Sequence, residues 1–143
     1  YVLLYPYGGF NDILKLIDHT YSYCKHYNRK LLVPTLDHYR IYTADIFNIK
    51  DDSIILDSSY TYQLLDSSYT TIYPSCVTRE DISNIIHPEN RENIIRYGKR
   101  HYTFKRTNTK LILPNTKCKK DIIFFSSQCI MRSRNITQFY GLE

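Results

Sequence analysis

The chain is 143 residues long and is poor in several residue types: it has no tryptophan, one methionine, four glycines and four cysteines. No stretch approaches the roughly 20 apolar residues that a transmembrane helix needs, so we expect no membrane span. The cysteines stand far apart with no C-x-x-C pair, which disfavours a disulfide scaffold or a zinc site and favours free thiols in a reducing compartment such as the cytoplasm. They are Cys24, Cys76, Cys118 and Cys129.

Several well-known catalytic motifs are also missing. Two of the four glycines are adjacent, yet the chain contains neither G-x-G-x-x-G nor G-x-x-x-x-G-K-[ST]. This disfavours a standard dinucleotide site and a P-loop kinase. The histidines show no H-E-x-x-H spacing and no serine lies in G-x-S-x-G, so neither a metallopeptidase nor a hydrolase elbow is indicated, and we expect no bound metal.

The first 35 residues carry the clearest structural pattern. Residues 1–6 form an apolar run that stops at a proline and predicts a buried strand. Residues 12–28 have apolar side chains at helical spacing, with Asn11 or Asp12 as the expected N-cap and Asn28 as a stop. Residues 30–34 predict a second buried strand. Strand, helix and strand within this length form one βαβ unit with parallel strands.

The paired glycines between the first strand and the helix form the first candidate site. Gly8 and Gly9 can adopt positive φ angles and let a ligand approach the backbone. The helix N-terminus that follows favours an anion. An ordinary strand-to-helix turn without a ligand is the alternative. Asp12 is the carboxylate beside this turn and is our candidate general base, while a helix-capping role is the competing interpretation.

The remaining pattern alternates between strands and helices. A helix should begin at the capping box of residues 78–81, and a second one should run from Pro88 to about Gly98. The hexapeptide Leu-Asp-Ser-Ser-Tyr-Thr occurs at 56–61 and again at 65–70, which we interpret as a duplicated turn or chance. The further predicted strands are residues 53–56, 70–73, 110–113 and 121–125.

We therefore predict an α/β fold for residues 1–143. It should be Rossmann-like, with a mainly parallel sheet flanked by helices. No break in composition requires a second domain within the chain.

Positive charge is concentrated in one segment. Residues 91–120 hold ten basic residues and one acidic residue, whereas the whole chain has a net charge of only +5. This asymmetry indicates a polyanionic partner, either a phosphate-bearing ligand or nucleic acid. Interleaved aromatic residues are also compatible with single-stranded nucleic acid, and a solvated surface is the alternative. The candidate phosphate ligands are Lys99, Arg100, Lys105, Arg106 and Lys117.

Residues 1–35 resemble the start of the fucosyltransferase-like glycosyltransferases, which include the protein O-fucosyltransferases. In that family a Gly-Gly-Leu-Asn turn precedes a helix and an Asn-Arg/Ala-x-Leu-x-x-Pro strand, and this chain has Gly8-Gly9-Phe10-Asn11 and residues 28–34 in the corresponding places. The resemblance implies a GT-B fold of two Rossmann-like domains, GDP-fucose as donor and no metal. It also implies that Gly8, Gly9, Phe10 and Asn11 line the cleft for the nucleotide-sugar and its acceptor.

The family's His-x-Arg donor motif is not found. In the segment most similar to it, Asn115 replaces the histidine and Lys117 replaces the arginine. The length fits one Rossmann-like half, so we expect the N-terminal part of a longer enzyme or a degenerate relative. The predicted function is transfer of a sugar, fucose by resemblance, from a nucleotide-sugar to a hydroxyl of a glycan or protein. The alternatives are a non-catalytic basic module that binds nucleic acid, and a structural or interaction protein.

Overall fold

The computed structural model describes residues 1–6, 8–36, 41–87, 94–97 and 101–126. Its helices are α1 (Phe10–His26), α2 (Ser58–Asp66) and α3 (Arg79–Ile85), with a single 3₁₀ turn at Thr43–Asp45. Its strands are β1 (Val2–Leu4), β2 (Leu31–Leu32), β3 (Thr35–Leu36), β4 (Ile41–Tyr42), β5 (Ile54–Ile55), β6 (Ile72–Tyr73), β7 (Ile94–Tyr97), β8 (His101–Phe104), β9 (Thr109–Lys110) and β10 (Ile122–Phe125).

Five strands form a parallel sheet in the order β5-β2-β1-β10-β6. Leu3 at its centre pairs with Leu32 on one side and Phe124 on the other. The predicted α/β class and the parallel β1-α1-β2 unit are confirmed. Numbered by their order along the chain, these strands run 3-2-1-5-4, whereas a dinucleotide-binding sheet runs 3-2-1-4-5. The last two described strands are therefore exchanged relative to that order.

The sheet separates two hydrophobic cores because successive side chains of a strand point to opposite faces. Val2 and Leu4 pack with α1 on one face, and Leu3 and Tyr5 lie on the other. Helices α2 and α3 cover this second face through Leu65, Ile82 and Ile85. Burial on both faces explains why the strands read as continuous apolar runs.

Helix α1 begins two residues earlier than predicted. Gly9 is its N-cap, with extended backbone angles of φ −69° and ψ 168°, and the Ile13 amide donates to the Gly9 carbonyl at 2.9 Å. Asn11 and Asp12 lie in the first turn, so the prediction that either caps the helix is wrong. Because Gly9 adopts the extended conformation of an N-cap, the helix starts at Phe10, before Asn11 and Asp12.

The stop signal at Asn28 is confirmed. Asn28 has a φ of 54°, and the Arg29 amide donates to the Cys24 carbonyl at 2.8 Å. The Asn28 amide donates to the Lys25 carbonyl at 3.4 Å. This pair of bonds, closed by a residue in the left-handed region, is a Schellman motif, and asparagine tolerates that conformation better than most residues.

A three-stranded antiparallel sheet corrects two predictions. Ile94–Tyr97 was predicted to be helical, but it is strand β7 and pairs with His101–Phe104. Thr109–Lys110 extends this sheet as β9, which pairs antiparallel with β8. The strand predicted at residues 110–113 therefore begins one residue earlier and ends at Lys110. Cross-strand pairing suits β-branched isoleucines and outweighs their helical spacing. The predicted helix start at Pro88 lies outside the described residues.

Helix α2 was not predicted. Asp57 caps it by accepting a hydrogen bond from the Ser59 amide at 2.9 Å, and Thr61 and Leu65 form its buried stripe. The first hexapeptide copy therefore starts this helix. The second copy ends it, with Ser67 as the C-cap, so the repeat is not a repeated structure.

Across the described ranges, no helix is long and apolar enough to cross a membrane.

The capping box predicted for α3 is confirmed, and its removal gives a first testable result. Thr78 Oγ1 accepts from the Asp81 amide at 3.1 Å, while Asp81 Oδ2 accepts from the Thr78 amide at 2.9 Å. We expect Thr78→Ala to lower the free energy of unfolding by about 1 kcal/mol, measured by urea titration. Thr78→Ser keeps the acceptor and should stay within about 0.5 kcal/mol of wild type; an equal loss would refute the cap.

Burial of a thiol and a phenol predicts that the free energy of unfolding falls at alkaline pH. Burial raises the pKa of the Cys24 thiol to about 12, and the same cause raises the pKa of Tyr23 to about 12. In the unfolded chain these groups ionise near pH 9 and 10, so the folded state holds more protons and loses stability as pH rises above 9.

For Cys24 alone the slope approaches about 1.4 kcal/mol per pH unit between pH 9 and 12. Urea midpoints between pH 8 and 10.5 should fall, and Cys24→Ala should make the fall shallower. Parallel pH curves for wild type and variant would contradict the assignment to Cys24.

Candidate functional site

The glycine turn lies at the carboxyl edge of the parallel sheet, directly after the central strand β1. Its base is fixed by the neighbouring strand β10. The Tyr5 amide donates to the Phe125 carbonyl at 2.9 Å, and the buried Ser126 hydroxyl donates to the Tyr5 carbonyl at 3.0 Å. In open parallel α/β sheets, ligands bind outside the carboxyl ends of the strands. The predicted site is therefore at the edge of the sheet where loops of parallel α/β proteins bind ligands.

Gly8 is the residue of the pair whose conformation requires glycine. Its φ is +117°, which side chains rarely adopt. A Cβ added at Gly8 would lie 3.3 Å from the Asp12 Cβ and 3.6 Å from Asp12 Oδ2. Gly9 has a φ of −69°, and an added Cβ there would meet nothing within 4 Å. The expected freedom of both glycines thus applies to Gly8 alone.

The first turn of α1 presents backbone donors beside Gly8. The amides of Phe10, Asn11 and Asp12 precede the first bond of the helix, which Ile13 makes to Gly9. Gly9 has no side chain with which to cap them, and no described side chain caps this terminus. The helix dipole adds positive potential at the same place. An oxyanion placed here would find unsatisfied N–H groups within reach.

Phe10 provides an aromatic surface at the same edge. Its side chain is 44% exposed, and its ring stacks on the buried ring of Phe47, with centroids 5.7 Å apart and planes 21° apart. Phe47 follows the 3₁₀ turn and donates its amide to the Thr43 carbonyl at 3.0 Å. No local sequence signal links Phe47 to the glycine turn, because the two are far apart in the chain.

Asp12 lies over Gly8 in the first turn of α1 and is half-buried. The capping interpretation is wrong, since Gly9 holds the N-cap position. A carboxylate in the first turn of a helix interacts favourably with the helix dipole, which accounts for its presence there without a catalytic role. Its role as a general base stays a prediction.

The candidate phosphate ligands that the structure describes do not lie at one place. Lys99 and Arg100 lie outside the described residues. Lys105 is exposed in the turn between β8 and β9. Arg106, in the same turn, donates to Asp81 Oδ2 at 2.7 Å and to the Cys76 carbonyl at 3.0 Å, so a phosphate would compete with these partners. Asp81 lies in the first turn of α3, which follows β6, so its partner Arg106 lies on the carboxyl side of the sheet.

Lys117 lies at the opposite edge of the sheet from the glycine turn. It lines a depression with Tyr1, which precedes β1, and with Asp121, which precedes β10. Since β1 runs from Tyr1 towards Gly8, the strand separates the two places. Lys117 therefore cannot contact the same phosphate as Gly8 and Asn11 in this arrangement.

The described residues contain no group of three or more His, Cys, Asp or Glu side chains placed to hold a metal ion. Compared with known proteins, the chain matches no family model, no curated protein and no solved structure. The functional argument therefore depends on the turn, its position in the sheet and the chemistry of the residues around it.

Proposed function

We propose that this chain is a Rossmann-like half of a GT-B-type glycosyltransferase, one that transfers a sugar, fucose by resemblance, from a nucleotide-sugar to an acceptor hydroxyl. One observation carries the proposal. The glycine turn lies at the carboxyl end of the central parallel strand, with Gly8 at a φ of +117° and the uncapped start of α1 behind it. A diphosphate can approach such a backbone more closely than one covered by side chains.

The residues have distinct roles in this proposal. In the transfer, the acceptor oxygen bonds to the anomeric carbon as the bond from that carbon to the diphosphate oxygen breaks. The leaving diphosphate gains negative charge, which the amides of Phe10 and Asn11 and the helix dipole stabilise. Asp12 takes the proton of the acceptor hydroxyl. Phe10 offers its exposed ring face to a sugar of the donor or acceptor.

Calorimetric titration with GDP-fucose, with UDP-glucose as comparison, tests the proposal. We expect saturable binding of a nucleotide-sugar. We also expect about 10-fold weaker binding by Asn11→Ala, because the exposed Asn11 carboxamide, in addition to its backbone amide, donates a hydrogen bond to the diphosphate in this proposal. Asn84→Ala is the matched control, since Asn84 is an exposed helical asparagine on α3. Absent binding, or equal weakening by both variants, would remove the basis of the proposal.

A further inference from the structure

The amino edge of the parallel sheet carries a surface that the proposed function does not use. Two shallow depressions, of about 280 Å³ and about 260 Å³, lie side by side there. Tyr1 and Asp121 line both of them. We call the combined surface the amino-edge groove. It lies across the sheet from the glycine turn.

One half of the groove is basic. Its lining includes Arg29, Lys117 and Lys120. Both lysines are exposed, and none of the three forms an ion pair with a carboxylate of the described residues. Within the described part of the chain, Arg29 donates only to backbone carbonyls, among them those of Tyr1 and Lys120. Its full positive charge is therefore offset by dipoles rather than by an anion.

Two negative features oppose these cations. The carboxylate of Asp121 accepts from the Thr71 amide at 2.8 Å and from the Thr71 hydroxyl at 3.0 Å, and these bonds hold its pKa below the usual value. Helix α1 also ends here, bringing about half a negative charge from its dipole. Three unit positive charges still exceed one carboxylate and this partial charge, so the basic half carries net positive potential.

The other half of the groove is aromatic. Tyr69, after the end of α2, is 90% exposed, although tyrosine is usually at least partly buried. It lines the depression together with Leu64, Ser67 and Thr70. Tyr69 and the cations line adjoining depressions that share Tyr1 and Asp121. An exposed ring combined with cations that lack a carboxylate partner suits a nucleotide, because bases stack on the ring while phosphates contact the cations.

We propose that the amino-edge groove binds the nucleoside-phosphate units of a single-stranded nucleic acid or of a free nucleotide. The phosphate lies against Lys117 and Lys120, and the base stacks on Tyr69. This inference does not depend on the proposed function, which concerns the opposite edge of the sheet. It also reassigns the basic segment, since only its last residues belong to this surface.

Fluorescence anisotropy with labelled octanucleotides of U and of dT tests the groove. We expect Tyr69→Ala to weaken binding roughly 5-fold or more, and Tyr69→Phe to bind like wild type because the ring is kept. Lys117→Gln/Lys120→Gln should make the slope of log K against log salt shallower by about 1.4. The control Lys15→Gln/Lys110→Gln removes the same charge outside the groove and should leave that slope within about 0.3 of wild type.

Competition with UMP distinguishes the two sources of the ligand. If UMP displaces the labelled octanucleotide at a concentration similar to that of the unlabelled octanucleotide, the ligand is a free nucleotide. If the unlabelled octanucleotide displaces it and UMP does not, the ligand is nucleic acid. Absent binding to every probe would overturn the proposal. So would equal effects of the two lysine pairs, or equal affinity of Tyr69→Ala and Tyr69→Phe. None of these outcomes bears on nucleotide-sugar binding at Gly8.

Discussion

Arg29→Met is expected to lower the free energy of unfolding by about 3 kcal/mol. The Arg29 guanidinium joins the end of α1 to the start of β1 and to the segment before β10, because it donates to the Tyr1 carbonyl at 3.0 Å, to the Lys120 carbonyl at 2.8 Å and to the Cys118 carbonyl. It also donates to the Asp121 carbonyl at 3.4 Å. Methionine fills similar space but removes the Arg29 donor from the Cys118 and Lys120 carbonyls, and one of two donors from the Tyr1 and Asp121 carbonyls. Urea unfolding followed by far-UV circular dichroism measures the loss.

Two variants separate the geometry of Arg29 from its charge. Arg29→Lys keeps the charge but replaces a planar fork with a single ammonium, which cannot serve all these carbonyls at once, so it should lose most of the same free energy. Lys30→Met removes the charge of the exposed neighbour and should change stability by less than about 0.5 kcal/mol. Equal small losses in all three variants would show that Arg29 does not hold these segments together.

Gly8→Ala is expected to lower the free energy of unfolding by about 1–3 kcal/mol and to weaken nucleotide-sugar binding. Alanine at a φ of +117° is strained, and its methyl group would lie 3.3 Å from the Asp12 Cβ. The chain can relieve this contact by rotating the turn or by moving Asp12. Either change displaces the backbone donors of α1 from the carboxyl edge.

Gly9→Ala is the matched control, since it adds the same methyl group one residue later. Gly9 has a φ of −69° and open space around it, so the free energy of unfolding of Gly9→Ala should stay within about 0.5 kcal/mol of that of wild type. Calorimetry and urea titration on both variants check the pair. Equal behaviour of the two alanine variants would contradict the special role of Gly8.

Local patterns were sufficient to predict the β1-α1-β2 unit and the start of α3. A proline that ends an apolar run, a stripe at helical spacing and an asparagine stop all act over a few residues. The capping box of Thr78 and Asp81 is likewise contained within four positions. These signals depend on backbone chemistry that is the same in any fold.

Long-range pairing accounts for most of what the sequence could not show. Strand β10 inserts between β1 and β6, and Ile94–Tyr97 becomes a strand because it pairs with His101–Phe104. Neither choice is encoded within a short window, since short isoleucine-rich runs fit a helix or a strand. The contact of Phe10 with Phe47 and the role of Arg29 depend on the same long-range packing.

Three of the 15 tyrosines make long-range contacts that only the fold reveals. Two hydroxyls on α1 and that of its C-cap residue donate to distant loops: Tyr21 to Asp51 at 2.6 Å, Tyr23 to the Pro114 carbonyl at 2.8 Å and Tyr27 to the Asn115 carbonyl at 2.8 Å. Each ring packs along the helix while its hydroxyl satisfies a loop acceptor. The segment that carries Lys117 is thereby held against α1, which keeps Lys117 at the amino edge.

Backbone amide NMR during titration with GDP-fucose tests the central claim most directly, because it reports where a nucleotide-sugar binds. The account predicts saturable shifts that are largest at the amides of Gly8, Gly9, Phe10 and Asn11, and that are greatly reduced in Gly8→Ala. Shifts confined to Lys117, Lys120 and Asp121 would place the ligand in the amino-edge groove instead. That result, or the absence of any saturable shift, would contradict a nucleotide-sugar site at the glycine turn.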